Sequence, residues 1–458
     1  MIRRKMMTVK EQVLNYTDEM LENIARLVKY DSVQGEAKPG MPFGEGPANV
    51  LAEALKIAEE MGFKTVNLDN YCGYAEIGEG EDIIGIAGHL DIVPVGDGWT
   101  YDPFKLTIVG DRAYGRGSTD DKGPVIMALY AMRILRDSGV KLNKRIRLIM
   151  GCNEETGSLC MKHYTEVEER VTLGFTPDAS YPCIYGEKGL MAMTAYSKKT
   201  KIISMNGGFV TNAVCHRCTT VIPAGEVTAK SVTKALSETA LKSFDVKEKD
   251  GKITIYAEGE SAHASWPLLG VNAAGCTMQA LAAAGFEDDF VEFYNSHIGT
   301  ACDGSGVGLA LSDEYGELTL NNGIVSTNDG VISCTIDVRI PVTYNEAQIR
   351  EAAAPYLEDE KGRIEIVNIV KSLFCPRESE LVNALYSAYV DVTGDTKNEP
   401  LVIGGGTYAK SLPGIIAFGP EFPDKDYRIH NADEFLEISG MQSSTEIYVK
   451  AIENLLEI

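Results

Sequence analysis

Three short segments carry residue types that bind divalent cations and move protons: Gly88-His89-Leu90-Asp91, Ser118-Thr119-Asp120-Asp121-Lys122-Gly123-Pro124 and Asn153-Glu154-Glu155-Thr156-Gly157. Neutral imidazole and carboxylate oxygens are ligands that zinc and manganese both accept, and one aspartate can hold a cation with each of its oxygens. Taken singly, each segment has an ordinary reading: a strand-end histidine is commonly a hydrogen-bonded structural residue, and an Asp-Asp or Glu-Glu pair is commonly a solvated turn. Their shared context argues against that. Ile83-Ile84-Gly85-Ile86-Ala87 is a short apolar run between acidic and glycine punctuation, the pattern of a strand buried on both faces, which puts His89 at a carboxyl end. Arg145-Ile146-Arg147-Leu148-Ile149-Met150 alternates and then turns wholly apolar, so Glu154 and Glu155 emerge just past a second strand. In open α/β sheets that edge is where active sites form. Three such segments in order, each after a strand, point to one metal cluster.

The elements that must position these residues follow from periodicity. Residues 123–138 read as a helix with Pro124 in its first turn, Val125, Leu129, Met132 and Leu135 as its buried stripe, and Gly139 as its stop. Strand, turn, helix and strand in that order make a parallel βαβ unit. Asp120 then sits near the amino end of a helix, where partial positive charge favours its ionised form. Helical periodicity also marks 18–29 and 47–61, the latter with Leu51, Leu55, Ala58 and Met61 on one face and Gly62 as its stop. Residues 93–99 read as a loop by turn chemistry alone. Past Gly189 the pattern changes to alternating strands, such as 252–256 and 331–339, an Ala-rich helical stretch at 273–284, a charged helix at 346–357 and a strand at 363–370. A helix at 379–392, a strand at 414–418 and a last helix at 443–456 resume the earlier pattern. The expected fold is α/β, with a mixed, largely parallel sheet and flanking helices in a discontinuous domain of residues 1–189 and 375–458, and an inserted α+β domain at 190–374.

The wording and spacing of His89-Leu90-Asp91, Asp120-Asp121-Lys122-Gly123 and Asn153-Glu154-Glu155 resemble the co-catalytic di-metal peptidase and deacylase family of aminoacylase, acetylornithine deacetylase, succinyl-diaminopimelate desuccinylase and the bacterial Xaa-His dipeptidases. Thr176-Pro177-Asp178-Ala179, Gly259-Glu260-Ser261-Ala262-His263-Ala264, Gly404-Gly405-Gly406-Thr407-Tyr408-Ala409 and Ile429-His430-Asn431-Ala432-Asp433-Glu434 extend the resemblance in order over most of the chain. The resemblance implies two divalent ions, zinc with manganese or cobalt as alternatives, on a zinc-peptidase-like catalytic domain. His89 and Asp178 would hold one ion, Glu155 and His430 the other, and Asp120 would bridge them. Such ions lie roughly 3.5 to 4 Å apart, polarise the scissile carbonyl and lower the pKa of a water. Glu154 would be the general base and Asp91 would hold the tautomer of His89. The family often has a cis peptide after the bridging aspartate, here between Asp120 and Asp121.

The same resemblance makes the insertion a lid. It assigns His263 to the oxyanion, assisted by Asn212 as in the dipeptidase branch. Arg339 is a candidate for bidentate grip of the substrate carboxylate, although a strand arginine is commonly an ion-pair partner. Gly405, Gly406 and Thr407 belong to a glycine run that could aim backbone N–H groups at the same carboxylate, as a nest does. The activity implied is hydrolysis of small dipeptides. The alternatives are an N-acyl amino acid deacylase and a non-catalytic metal-bearing binding protein. Loss of the base would have favoured the last, and Glu154 is present. The long insertion, the Asn212 context and Gly-Gly-Gly-Thr-Tyr-Ala favour the dipeptidase branch. Residues 190–374 suffice for two ferredoxin-like lid halves, so that one chain would contain what smaller relatives obtain by dimerising; His263 would act in cis in a monomer.

Composition sets looser bounds. A chain of 458 residues exceeds what one core usually organises, so at least two domains are expected. Hydrophobic content of 44% with 24% charged residues is that of a soluble globular protein. A net charge of −23 argues against nucleic acid or an anionic membrane as partner. Cys215-His216-Arg217-Cys218 has CxxC spacing but no second pair nearby, and reads as structural. Ten scattered cysteines are expected to be reduced thiols in a cytoplasmic protein. Met1-Ile2-Arg3-Arg4-Lys5 is basic but is not followed by the apolar core of a signal peptide, and no apolar run is long enough to span a bilayer.

Overall fold

Every residue of the strand Ile83–His89 is buried, as a run apolar on both faces requires. The computed structural model that contains it describes residues 7–458, and the basic opening at Met1–Lys5 lies outside them. The chain divides into two compact units, one of residues up to Gly186 together with Cys375–Ile458, the other of Glu187–Phe374.

In the first unit the sheet runs in the order Lys64–Leu68, Cys72–Ile77, Arg145–Gly151, Ile83–His89, Leu173–Thr176, Ile415–Ala417 and Ile184–Glu187. The central strands Arg145–Gly151, Ile83–His89, Leu173–Thr176 and Ile415–Ala417 are mutually parallel, and their neighbours on either side are antiparallel. Register fixes what comes next. His89 lies opposite Gly151 and Ala417 opposite Thr176, so the segments leaving these strands emerge on one edge. Arg147 is buried inside the sheet, where Glu76 receives its Nε at 2.7 Å and the Tyr74 ring lies 4.0 Å below its guanidinium. A charge at that depth is tolerable only when paired in this way.

The helix Lys122–Ser138 ends on Gly139 in the left-handed region, φ 74°, as its sequence predicts. Two of its contacts admit only glycine. A Cβ on Gly123 would stand 2.0 Å from the carbonyl oxygen of Ser118, and one on Gly88 would stand 2.7 Å from Asp121 Oδ2. The first helix, Val9–Val28, begins well before the expected residue 18. Its start is a capping box, with Thr8 Oγ1 accepting from Glu11 N at 3.2 Å and Glu11 Oε2 accepting from Thr8 N at 2.7 Å. The last helix, Ile438–Leu456, also begins earlier than expected. Its first turns bury Ser444 and Thr445, whose hydroxyls blur the apolar stripe, and Thr445 Oγ1 donates to the Met441 carbonyl at 2.8 Å.

The second unit is built on one continuous eight-stranded sheet, in the order Ser243–Lys249, Lys252–Glu258, Arg217–Pro223, Ser204–Gly207, Thr319–Asn328, Val331–Ile340, Gly189–Ser197 and Gly362–Val370. Its pairings are antiparallel. The residue pair Gly207 and Val325 joins the two sets of strands at the middle. Helices Ala229–Leu236, Ala273–Ala283, Asp289–His297 and Glu346–Ala353 accompany it, and the core between them includes Met193, Ile222, Ile255, Phe290 and Ile336. The Glu346 helix stops short of the expected residue 357 because Pro355 lacks the N–H that would continue it, and a 3₁₀ turn at Ala354–Tyr356 follows. Cys215 and Cys218 are buried here, and the ten cysteines of the chain are free thiols. Among the described residues no helix is long and apolar enough to cross a membrane.

Candidate metal centre

The edge where the parallel strands end gathers the residues that the motifs singled out. Asp120 stands between two imidazoles, with Oδ1 2.9 Å from His89 Nε2 and Oδ2 2.9 Å from His430 Nε2. His430 Nε2 is also 3.1 Å from Glu155 Oε1, and His89 Nε2 is 3.9 Å from Asp178 Oδ2. The ligand atoms of His89, Asp120 and Glu155 lie within 4.8 Å of one another, and so do those of His89, Glu154 and Asp178. Glu154, expected beside a ligand as the general base, lies within the second of these groups. His430 holds its place from a left-handed backbone, φ 62°, a conformation uncommon outside glycine. The peptide between Asp120 and Asp121 is cis.

One expected contact is different. The Nδ1 of His89 meets the backbone carbonyl of Asp91 at 3.0 Å, while the Asp91 carboxylate is 3.7 Å away. That carboxylate is committed elsewhere, because its two oxygens accept from the N–H groups of Glu154 at 3.0 Å and Glu155 at 3.1 Å. Asp91 therefore orients His89 through its main chain and the Glu154-Glu155 turn through its side chain. Asp121 adds a further tie, its Oδ2 accepting from His89 N at 2.9 Å.

The electrostatics fit a group of positive charge. Burial pushes Glu154 well above the ordinary carboxyl range, with Glu155, Asp91 and Asp120 adding to the shift against the lowering influence of His89. Burial likewise raises Asp178 and Asp121, and lifts Asp91 to about 6. Burial would also raise Asp120, but hydrogen bonds from His430 and His89 hold it far below its usual value. The two histidines carry the counterpart: burial lowers His430, yet Asp120 and Glu155 bring it to about 10, and Asp120 raises His89 against the same burial. The surrounding carboxylates thus favour the charged form of both imidazoles. A divalent cation would replace their protons and let the buried carboxyls ionise. Imidazole nitrogen with several carboxylates is a donor set that divalent transition metals accept.

The glycine run is tied down by a residue the sequence left unremarked. Lys410 Nζ donates to the Gly405 carbonyl at 3.0 Å, and a Cβ on Gly406 would meet the same Nζ at 3.1 Å. Thr407 Oγ1 accepts from Ala409 N at 3.1 Å and so caps the short turn Tyr408–Lys410. Tyr408 is fully buried; its hydroxyl is 3.0 Å from Cys160 Sγ, and its ring stands edge-on to the His89 imidazole at 6.2 Å. Glu434, also without an assigned role from sequence, is fully buried and bonded to the Asp120 loop. Its place inside the His430 motif was the available signal.

His263, Asn212 and Arg339 belong to the second unit. There the first two are neighbours: Ala213 bridges to His263, and Ala264 N donates to the Asn212 carbonyl at 2.8 Å. His263 Nδ1 accepts from Ser265 N at 3.2 Å. Arg339 pairs with Asp337 two residues away on the same strand, Nε to Oδ1 at 2.6 Å and Nη2 to Oδ2 at 2.9 Å. That bidentate pair engages Arg339 through its Nε and Nη2.

A protein of Bacillus subtilis (strain 168) named "Putative dipeptidase YtjP" is 35% identical over 461 residues, which cover 97% of this chain and 98% of that protein. A protein of Staphylococcus haemolyticus (strain JCSC1435) named "Putative dipeptidase SH1171" is 32% identical over 468 residues, covering 97% of this chain and 99% of that protein. Human carnosine dipeptidase 1 shares the fold with a TM-score of 0.61 at 16% identity, covering 98% of each chain. The dipeptidase Dug1p of Saccharomyces cerevisiae does so with a TM-score of 0.56 at 14% identity, again over 98% of each. Residues 85–454 match the peptidase family M20/M25/M40, a span that holds every residue of the cluster, and the chain belongs to that family.

Proposed function

We propose that this protein is a metal-dependent dipeptidase, and that His89 and Asp178 hold one divalent cation, Glu155 and His430 a second, with Asp120 between them. The observation that carries the reading is the Asp120 carboxylate set at 2.9 Å from each of two imidazoles, with Glu154, Glu155 and Asp178 around it on the carboxyl edge of a parallel sheet. Relatives named as dipeptidases over nearly the whole length support it. Zinc is the proposed ion, and manganese or cobalt would suit the same donors. When bound, the pair supplies Lewis-acid polarisation of the scissile carbonyl and makes a water more acidic.

The protein's own groups do the rest. Glu154 takes a proton from the attacking water on a carboxylate oxygen and returns it to the nitrogen of the leaving amine. Asp91, bonded to the N–H groups of Glu154 and Glu155, fixes the turn that presents this base. The Gly405-Gly406-Thr407 segment is assigned to the terminal carboxylate of the dipeptide through its backbone N–H groups, and Lys410 brings a positive charge beside it. His263 with Asn212 is assigned to the oxyanion; their adjacency in the second unit supports treating them as one group. The free thiols support a cytoplasmic location.

The deciding experiment measures free-amine release from a panel of dipeptides beside N-acetyl and N-succinyl amino acids. Dipeptides are expected to be cleaved faster than the acylated compounds, which share the terminal carboxylate but lack the free α-amino group. The reverse preference would make the protein a deacylase.

The reading extends to assembly. The eight-stranded sheet of the second unit supports two lid-like halves within one chain, and we place His263 in cis in a working monomer. Mixing an inactive Glu154→Gln chain with an inactive His263→Ala chain should then restore no activity. Complementation in the mixture would show His263 serving a partner's site.

A further inference from the structure

The loop that carries Asp120 and the loop that carries His430 are more than three hundred residues apart in the chain, and one buried side chain joins them. Glu434 is 0% exposed. Its Oε2 accepts from Arg116 Nη1 at 2.7 Å and from Gly117 N at 3.2 Å; its Oε1 accepts from Thr119 N at 3.0 Å and from Asp120 N at 3.2 Å. Two more bonds run beside it between the same segments: Gly115 N donates to the Glu434 carbonyl at 3.0 Å, and Thr119 Oγ1 donates to the Phe435 carbonyl at 2.7 Å. The short strand Phe435–Glu437 then pairs with Arg112–Tyr114. The loop that ends in Asp120 is thereby wrapped around one carboxylate.

We infer that Glu434 is a positioning residue for the metal centre, holding the main chain of Asp120 so that its two oxygens face His89 and His430. This rests on the reading of Asp120 as the shared ligand. The geometry gives Glu434 more than the part of a counter-ion to Arg116. A counter-ion would need one oxygen at the guanidinium, whereas Glu434 spends its other oxygen on the N–H groups of Thr119 and Asp120, the two residues that set where the Asp120 side chain starts. It also lies four residues beyond His430 on the same loop, so one side chain couples the placement of Asp120 to that of His430. Outer-shell partners of this kind typically govern about tenfold to a hundredfold in metal affinity.

Glu434→Gln keeps the shape but turns half of the acceptor into a donor, which faces N–H groups whichever way the amide is set. The measurement is zinc release from the loaded enzyme to a chromophoric chelator, with metal stoichiometry, kcat and KM taken on the same samples. Glu434→Gln should lose zinc about tenfold to a hundredfold more readily than the unaltered protein. Its kcat should fall while KM for a dipeptide stays within about threefold, since the substrate contacts are untouched. The gap in unfolding temperature between metal-loaded and metal-free protein should also narrow, whereas a merely structural glutamate would lower both temperatures alike. The double variant Arg116→Met/Glu434→Leu removes the buried charges together with every acceptor and should not regain zinc affinity, because the N–H groups of Thr119 and Asp120 are then unheld. Full recovery in the double variant, or unaltered zinc affinity in Glu434→Gln, would overturn the inference. Should Glu434→Gln fail to fold, Glu434→Asp decides: it keeps the charge but is one methylene too short to reach Arg116 and the N–H groups of Thr119 and Asp120 together, should weaken zinc retention in the same direction, and unchanged retention would count against the inference. If the unaltered protein itself does not hold two zinc ions, the reading of the centre fails instead.

Discussion

Glu154→Gln is expected to abolish dipeptide turnover while the protein keeps two bound metal ions. The amide is nearly isosteric with the carboxylate but cannot take a proton from water. Loss of a positioned general base costs typically 10²- to 10⁴-fold, and a thousandfold loss corresponds to about 4 kcal/mol in the barrier. Because the contribution is made in the transition state, kcat and kcat/KM should fall together with KM little changed. Metal analysis on the same sample is essential, since the Glu154 carboxyl lies within 4.8 Å of the ligand atoms of His89 and Asp178. If metal content falls along with the rate, Glu154 is a ligand and the base must be sought elsewhere. A variant that retains a substantial fraction of the rate would remove Glu154 from the chemistry altogether.

The central part of this architecture was legible in the chain for physical reasons. Ile83–Ala87 could only be a strand buried on both faces, and Gly139 only a helix stop, because each signal is local and strong. What escaped the sequence depends on contacts between distant residues or on polar groups in apolar surroundings. The opening of the last helix was obscured by the buried Ser444 and Thr445. The division of labour in Asp91, carbonyl to His89 and carboxylate to the turn at Glu154, could not be read from a motif that records the residue and not its atoms. Arg339 shows the converse limit. Its strand position suited either a substrate clamp or an ion pair, and the pair with Asp337 is visible only in the side-chain geometry. Glu434 was visible as a letter of the His430 motif, but its four bonds lie with residues more than three hundred positions earlier, and no local pattern carries such a relation.

Asp120→Ala should strip both metals, whereas His430→Ala should chiefly weaken one. The asymmetry follows from position. The Asp120 carboxylate presents one oxygen at 2.9 Å from His89 and the other at 2.9 Å from His430, so it serves both halves of the centre, while the His430 ring meets Asp120 and Glu155. Two divalent cations held roughly 3.5 to 4 Å apart repel strongly, and a shared carboxylate between them is the anion that makes the arrangement stable. Replacing that carboxylate by a methyl group leaves the repulsion without its screen. His430 is also about half exposed, in contrast to the buried His89, so water can take its place as a ligand at the outer position. Elemental analysis after dialysis against metal-free buffer should give near zero equivalents per chain for Asp120→Ala and about one for His430→Ala, with activity lost in the first and restored in part by added zinc or manganese in the second. Two equivalents retained by the Asp120 variant would take Asp120 out of the centre, and equal loss from both variants would mean that the two positions are filled only together.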